Sequence, residues 1–298
     1  MNITNLIEII RPKHWIKNLF ILIVPIIHFD ILDVITLTNL LITFISFCLF
    51  SSGGYVLNDW IDRKKDSLHP IKKLRPFASG KLIFNHMLII FITLSFLGSI
   101  LSINIDGNAK IILFLYFFVT ICYSVVLKNI ALLDIFTISF GFVLRLFSGS
   151  LSTNLEISIE LLVITFLLCL FFPLSKRRDD INIGLDDNHR KSLKYYNKKF
   201  IDNLLVILLT SSFTVFILWS ISKETAERLG TNAIPLLLPF ILIIILRYMQ
   251  FIFVMNLSGD PVKIFFKDKF LQLMIFLTVS VFCFIRVLEL DLNNLLIF

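Results

Sequence analysis

The chain has 298 residues, 57% of them hydrophobic and 32 of them Phe, with a formal net charge of +7 and a mean hydropathy of +0.89. A soluble domain carries about 25% charged residues; here 16% are charged, gathered into clusters, which excludes an ordinary soluble enzyme. Apolar runs of about 20 residues, enough to cross about 30 Å of hydrocarbon, recur along the whole length, so the expected class is an all-α polytopic membrane protein. No cleavable signal is expected, because Arg11 to Lys17 leads straight into a long apolar run with no small-residue cleavage site. Cys48, Cys122, Cys169 and Cys283 stand singly in apolar runs and read as packing residues. No nucleic-acid module is present, and the basic clusters suit lipid headgroups or phosphorylated substrates.

Nine spans are predicted, at 18–35, 39–57, 82–103, 110–127, 131–150, 157–175, 200–222, 233–255 and 270–288, forming one integral-membrane domain over 1–298. The N-terminus and the loops after the even-numbered spans hold 22 of the 28 Lys and Arg residues. The positive-inside rule then puts the N-terminus and all the conspicuous polar loops in the cytoplasm, with the C-terminus outside.

The chain opens on Arg11-Pro12-Lys13-His14-Trp15-Ile16-Lys17-Asn18. Its cations and aromatic ring read equally as an interfacial anchor or as phosphate contacts. Span two carries Gly53-Gly54 one turn before Asn58, where small residues let a neighbouring helix approach closely.

Residues 58 to 80 are the centre of the reading. Asn58, Asp59, Asp62 and Asp66 arrive within nine residues, and Arg63, Lys64, Lys65, Lys72, Lys73, Arg75 and Lys81 surround or follow them. At about 100° per residue the four fall near 0°, 100°, 40° and 80°, on one face of a helix leaving the membrane. Like charges on one face repel, and a divalent cation removes that penalty. Hard oxygen ligands favour Mg²⁺, which commonly bridges a few carboxylates to a substrate phosphate or diphosphate. The Lys and Arg side chains would hold the remaining phosphate oxygens. A solvated juxtamembrane loop would explain a single acidic pair; a one-faced quartet followed by His69-Pro70, Arg75-Pro76 and Ser79-Gly80 favours the metal-diphosphate reading.

Tyr123 and Lys128 follow at the end of span four, and span five carries Asp134, Gly141 and Arg145 on one face. Ionisable groups inside a span are expensive and take partners. Asp134 and Arg145 lie three turns, about 16 Å, apart and cannot pair with each other. Arg247 in span eight raises the same question. The longest polar stretch, Ser175 to Tyr196, again mixes acids with Lys176, Arg177, Arg178, Arg190 and Lys191, on the same side as 58–80 by span counting. Two such clusters on one face suggest one site between them. Gly259-Asp260-Pro261 reads as a turn.

Asn58-Asp59-x-x-Asp62-x-x-x-Asp66, followed by His69-Pro70 and Arg75-Pro76-x-Ala78-Ser79-Gly80, resembles the first aspartate-rich motif of the UbiA superfamily of intramembrane prenyltransferases. The likeness runs from Arg11 to about Phe270 and includes Arg11-Pro12-x-x-Trp15 and Tyr123…Lys128. It implies a nine-helix bundle, Mg²⁺ and a diphosphate substrate. The second cluster departs from the usual Asp-x-x-x-Asp pattern. Lys176-Arg177-Arg178-Asp179, then His189-Arg190-Lys191-Ser192-Leu193-x-x-Tyr196, looks like the decaprenyl-phosphate phosphoribosyltransferase branch, as do Gly259-Asp260-Pro261 and Asp268-Lys269.

That branch implies transfer of 5-phosphoribosyl from 5-phosphoribosyl 1-diphosphate to a polyprenyl phosphate, releasing diphosphate, in a bacterial cytoplasmic membrane. The expected metal ligands are Asn58, Asp59, Asp62 and Asp66, with Asp179 completing the site. Asp59, Asp62, Asp66, Lys128 and Tyr123 form the catalytic set. Lys13, Lys17, Lys72, Arg75, Arg145, Lys176, Arg177, Arg178, Arg190 and Lys191 would bind phosphates. The runner-up is prenyl transfer onto an aromatic acceptor, which shares Asn58 to Asp66; a lipid transporter or scaffold ranks below both. The lipid bilayer is the expected surrounding, and the reading leaves room for a homo-oligomer.

Overall fold

A computed structural model describes residues 2–28, 33–69, 71–184, 191–257, 264, 267–288 and 290. Every long element among them is helical, and eight helices are long and apolar enough to cross a membrane. The all-α polytopic class is therefore observed. The eight helices match the second to ninth expected spans.

The first expected span, 18–35, differs. Its chain is a 3₁₀ helix over Pro12–Leu22 followed by a short α-helix, Ile23–His28, and residues 29–32 lie outside the described set. A 3₁₀ run of 11 residues is unusual, since eclipsed side chains and poorer hydrogen bonds normally limit such runs to three or four. Here side-chain anchors compensate. Residues three apart eclipse in this helix, so Trp15, Asn18 and Ile21 form one row. Trp15 Nε1 donates to Ser52 Oγ at 3.0 Å, Asn18 Nδ2 to Cys48 Sγ at 3.1 Å, and Asn18 and Ile21 are fully buried.

Chain contacts cluster into two compact units, residues 1–157 with 186–195, and 158–185 with 196–298. In the first, α1 (Ile3–Ile10) is amphipathic, burying Ile9 while Ile3 and Ile7 face outward. The 33-residue helix α2 (Val34–Asp66) follows. At 1.5 Å per residue it is about 50 Å long, so roughly its last four turns outrun a hydrocarbon core of about 30 Å. Those turns carry the acidic quartet. The unit continues with α3 (Phe84–Leu101), α4 (Gly107–Val125) and α5 (Leu133–Thr153), and α2 packs against all three as well as the 3₁₀ segment.

Two glycines set the closest approaches. A Cβ on Gly54 would run into the Thr120 side chain of α4, so this member of the Gly53-Gly54 pair does let a neighbour close onto α2 one turn before the acids. A Cβ on Gly149 would overlap the backbone carbonyl of Ile21, clamping α5 against the 3₁₀ segment. Gly149→Ala forces that backbone contact apart, and overpacking of this kind costs about 1–3 kcal/mol. A thermal melt of the purified variant should show a clear drop in Tm; an unchanged melt would mean the clamp is absent.

The second unit comprises α6 (Ile159–Asn182), α7 (Lys198–Ile221), α8 (Lys223–Leu229), α9 (Leu238–Phe253) and α10 (Lys269–Val287). A cavity of about 410 Å³ opens among its helices, lined by apolar side chains including Phe171, Phe172, Phe213, Phe216, Tyr248 and Ile275. Arg247 of α9 finds its partner in Asp268, at 2.6 Å. That hydrogen bond holds the Asp268 carboxyl below its ordinary range.

Candidate active site

The end of α2 is a difficult place for carboxylates, because the unsatisfied carbonyls of a helix C-terminus carry negative potential. Three cations from three separate segments answer it. Arg11, a left-handed residue that ends α1, donates through Nη2 to both oxygens of Asp59, at 2.8 and 2.6 Å. Arg75 Nη1 is shared between Asp59 Oδ1 at 3.2 Å and Asp66 Oδ2 at 2.7 Å. Lys128 Nζ is shared between Asn58 Oδ1 at 2.9 Å and Asp62 Oδ1 at 2.7 Å. Three carboxylates thus meet three cations, and the cluster is close to neutral.

Local sequence explains each delivery. Arg75 sits in a loop whose Phe77 is buried with Ile9, Val56, Leu82 and Met87 and packs edge-on to Trp60, the neighbour of Asp59, at 5.8 Å. Gly80 closes the loop at φ 77°, a conformation only glycine adopts freely. His69 Nδ1 accepts the backbone N–H groups of Ile71 and Lys72 at 3.2 and 3.3 Å and caps the short turn before Arg75. Lys128 lies in the 3₁₀ turn Leu127–Asn129 between α4 and α5, which points its buried ammonium back at α2.

The four oxygen-bearing residues expected to act together do share one helix face, but they divide into two pairs. Asn58 and Asp62 converge on one cationic nitrogen; Asp59 and Asp66 converge on another. No group of three His, Cys, Asp or Glu side chains converges among the described residues. An all-protein cage is therefore not built. Paired hard oxygens that close on a single positive atom do fit Mg²⁺, which takes one or two carboxylates, waters and substrate phosphates.

Of the cations flanking the quartet in sequence, Arg75 makes direct bonds to it. Arg63 turns away, its guanidinium 3.7 Å from the Trp60 ring centre. Lys72 is half-buried and acts on Asp66 electrostatically. Lys13 is exposed, while Lys17 and Tyr123 are half-buried. Arg145 is buried and donates to Asn18 Oδ1 at 2.7 Å, Gly141 O at 2.7 Å and Tyr116 Oη at 2.8 Å. Asp134 accepts from Ser192 Oγ at 2.9 Å. Asp134 and Arg145 therefore have separate partners, as their spacing requires. Sequence reasoning left Arg11 undecided between anchor and phosphate contact and did not single out Asn18 or Tyr116. The signal for Arg11 was the Arg11-Pro12-x-x-Trp15 pattern itself.

In the second unit, Arg177 and Arg178 are both buried on α6. Arg177 pairs with Asp180 at 3.5 Å. Arg178 pairs with Asp202 at 2.6 Å and reaches Asn256 at 3.4 Å. Asp179 is half-buried, and Lys176 and Lys191 are exposed. Arg190 and Gly259-Asp260-Pro261 lie outside the described residues.

The model of the UbiA prenyltransferase family matches residues 31–266. A decaprenyl-phosphate phosphoribosyltransferase of Mycolicibacterium smegmatis is 29% identical over 288 residues, covering 91% of this chain and 89% of the relative. One from Corynebacterium glutamicum is 29% identical over 279 residues, covering 90% and 82%. A UbiA homologue from Archaeoglobus fulgidus, solved bound to DMAPP and Mg²⁺, shares the fold with a TM-score of 0.71 at 17% identity, over 93% of this chain and 96% of that one. The chain belongs to the UbiA prenyltransferase family, and is a multi-pass membrane transferase.

Proposed function

We propose that this transferase moves a 5-phosphoribosyl group from 5-phosphoribosyl 1-diphosphate to a polyprenyl phosphate, releasing diphosphate, at the cytoplasmic face of a bacterial membrane. The observation that carries the reading is the one-faced quartet Asn58, Asp59, Asp62 and Asp66 with its three cations. It stands in a chain that aligns over nine-tenths of its length with phosphoribosyltransferases acting, by name, on decaprenyl phosphate. The positive-inside bias supports the cytoplasmic side. The apolar cavity of the second unit is of the kind an isoprenoid chain fills.

In this mechanism the pairs Asn58–Asp62 and Asp59–Asp66 would hold Mg²⁺, which when bound neutralises charge developing on the leaving diphosphate. Arg75 and Lys128, each shared by two acceptors, are the cations placed to bind diphosphate oxygens, with Lys72 beside them. An oxygen of the lipid phosphate, already anionic, forms a bond to the anomeric carbon. The bond from that carbon to the diphosphate oxygen breaks, and diphosphate leaves with the electron pair. No general base is needed, and the anomeric carbon inverts. We assign Arg177, Arg178, Arg190, Lys176 and Lys191 to the second phosphate-bearing partner, with Asp179 as a further candidate metal ligand.

The test is transfer of ribose label. Purified protein, Mg²⁺, a long-chain polyprenyl phosphate and ribose-labelled 5-phosphoribosyl 1-diphosphate should give label in the organic phase. Absence of lipid-borne label from folded protein would turn the assignment to prenyl transfer onto an aromatic acceptor.

A further inference from the structure

Lys128 stands on a short link that contains a strained residue. Its 3₁₀ turn, Leu127–Asn129, joins α4 to α5. Backbone bonds tie that turn to its neighbours on both sides. Asn129 N–H donates to Val126 O at 3.0 Å, Ile130 N–H to Leu127 O at 3.1 Å and Asp134 N–H to Ile130 O at 3.0 Å. Within this link Leu132 holds φ 68° and ψ −48°, near the γ-turn form that is rare and strained for a residue with a side chain. Such an outlier is costly and persists only where the surrounding structure over-determines it. Both flanks of Leu132 must therefore be held.

Upstream, the hold is Lys128 itself, pinned through Nζ to Asn58 at 2.9 Å and Asp62 at 2.7 Å. Downstream, Asp134 is fully buried and accepts from the equally buried Ser192 Oγ at 2.9 Å. Ser192 belongs to the 3₁₀ turn Lys191–Tyr195, and that turn packs on Leu127–Asn129. Chain connectivity does not demand this contact. Helices α6 and α7 lie against each other, and helices so placed need only about 2–8 linking residues. Their connection instead runs from residue 183 to 197, and its 191–195 part groups with the first unit. Ser192 and Leu193 are buried there. A connection longer than its helices need thus places a buried hydroxyl on the far flank of the strained link.

We propose that Ser192 and Asp134 are positioning residues for diphosphate binding. Their hydrogen bond clamps the downstream flank of Leu132 and so holds the Lys128 ammonium at the Asn58–Asp62 edge of the site. Neither residue touches the substrate; both act through Lys128. The inference rests on the reading of Lys128 as a diphosphate cation. Without the clamp Leu132 relaxes to negative φ, and the turn that carries Lys128 shifts with it. Glycine at 132 takes the positive φ without strain, so it removes the drive to relax. Leu132 is 45% exposed, so its truncation sacrifices little packing.

The probe is inorganic pyrophosphate with Mg²⁺, titrated by calorimetry into the full-length protein in lipid nanodiscs. This readout does not depend on which group the enzyme transfers. Lys128→Met should weaken binding about tenfold or more and Ser192→Ala about fivefold or more, within the range of coupled neighbours. Ser192→Thr keeps the hydroxyl and should bind as wild type does. In the Lys128→Met background Ser192→Ala should cost nothing further, and Leu132→Gly should return Ser192→Ala toward wild-type affinity. A bond that served stability alone would weaken binding equally in both backgrounds, so additive losses overturn the clamp. Asp134→Ala, which removes the acceptor, is read in the same way as Ser192→Ala, with a thermal melt to confirm that each variant is folded. Weakened binding in Lys128→Met with unchanged binding in Ser192→Ala and Asp134→Ala overturns the clamp and leaves Lys128 as a diphosphate cation. Wild-type affinity in Lys128→Met overturns that reading of Lys128 and the clamp together.

Discussion

Asp62→Ala is expected to lower turnover by about 10³-fold or more, a loss of about 4 kcal/mol of transition-state stabilisation, in a protein that still folds. The geometry allows that separation of effects. Asp62 is 23% exposed, and its recorded ion pair is with Lys128. Lys128 keeps Asn58 Oδ1 as an acceptor when Asp62 is gone, so its ammonium, 9% exposed, stays hydrogen-bonded although it loses its counter-charge, and a part of the stability goes with it. Asp59 is the useful contrast. It is 3% exposed and takes both Arg11 bonds and one from Arg75. Removing one partner of a buried pair costs about 3–5 kcal/mol, so Asp59→Ala should lose stability along with activity. The paired measurement is ribose-label transfer and a thermal melt on both variants. If Asp62→Ala retained a tenth of wild-type turnover, its role at the diphosphate would be wrong.

Patterns within single segments are legible in the amino-acid sequence. The one-faced quartet followed from helical periodicity alone, because Asn58 to Asp66 lie inside one helix. Asp134 and Arg145 could be declared non-partners from their separation along one helix. What remained hidden was pairing between segments. Nothing in residues 58 to 80 says that Arg63 stacks on Trp60 while Arg11, 48 residues upstream of Asp59, neutralises it. The 3₁₀ form of Pro12–Leu22 was hidden for the same reason. Its local sequence reads as the start of an ordinary apolar span, and it is α2 and α5, through Ser52, Cys48 and Arg145, that hold it in a tighter winding. Glycine carried part of this information without an address. Gly149 signals a close approach, yet only the fold shows that the Ile21 carbonyl fills the space.

Arg75 should separate charge from geometry. Its Nη1 bridges Asp59 and Asp66, and its side chain is 27% exposed, so part of each interaction is screened by water. Arg75→Ala leaves Asp59 with Arg11 but strips Asp66, 7% exposed, of its direct cation. The expected outcome is a stability loss of about 1–3 kcal/mol together with a fall in kcat/KM of about 10²-fold or more. Arg75→Lys restores the charge near Asp66 and should recover most of the stability. It should not recover the activity, because an ammonium is a point charge and lacks the planar fork that can hold a carboxylate and a diphosphate oxygen together. Were Arg75 only a strut between Asp59 and Asp66, the lysine would restore turnover and stability in parallel. Comparing kcat/KM for the diphosphate donor against Tm across wild type, Arg75→Ala and Arg75→Lys decides between the two. A lysine variant with full stability and full activity would remove Arg75 from the chemistry and leave Lys128 as the principal diphosphate cation.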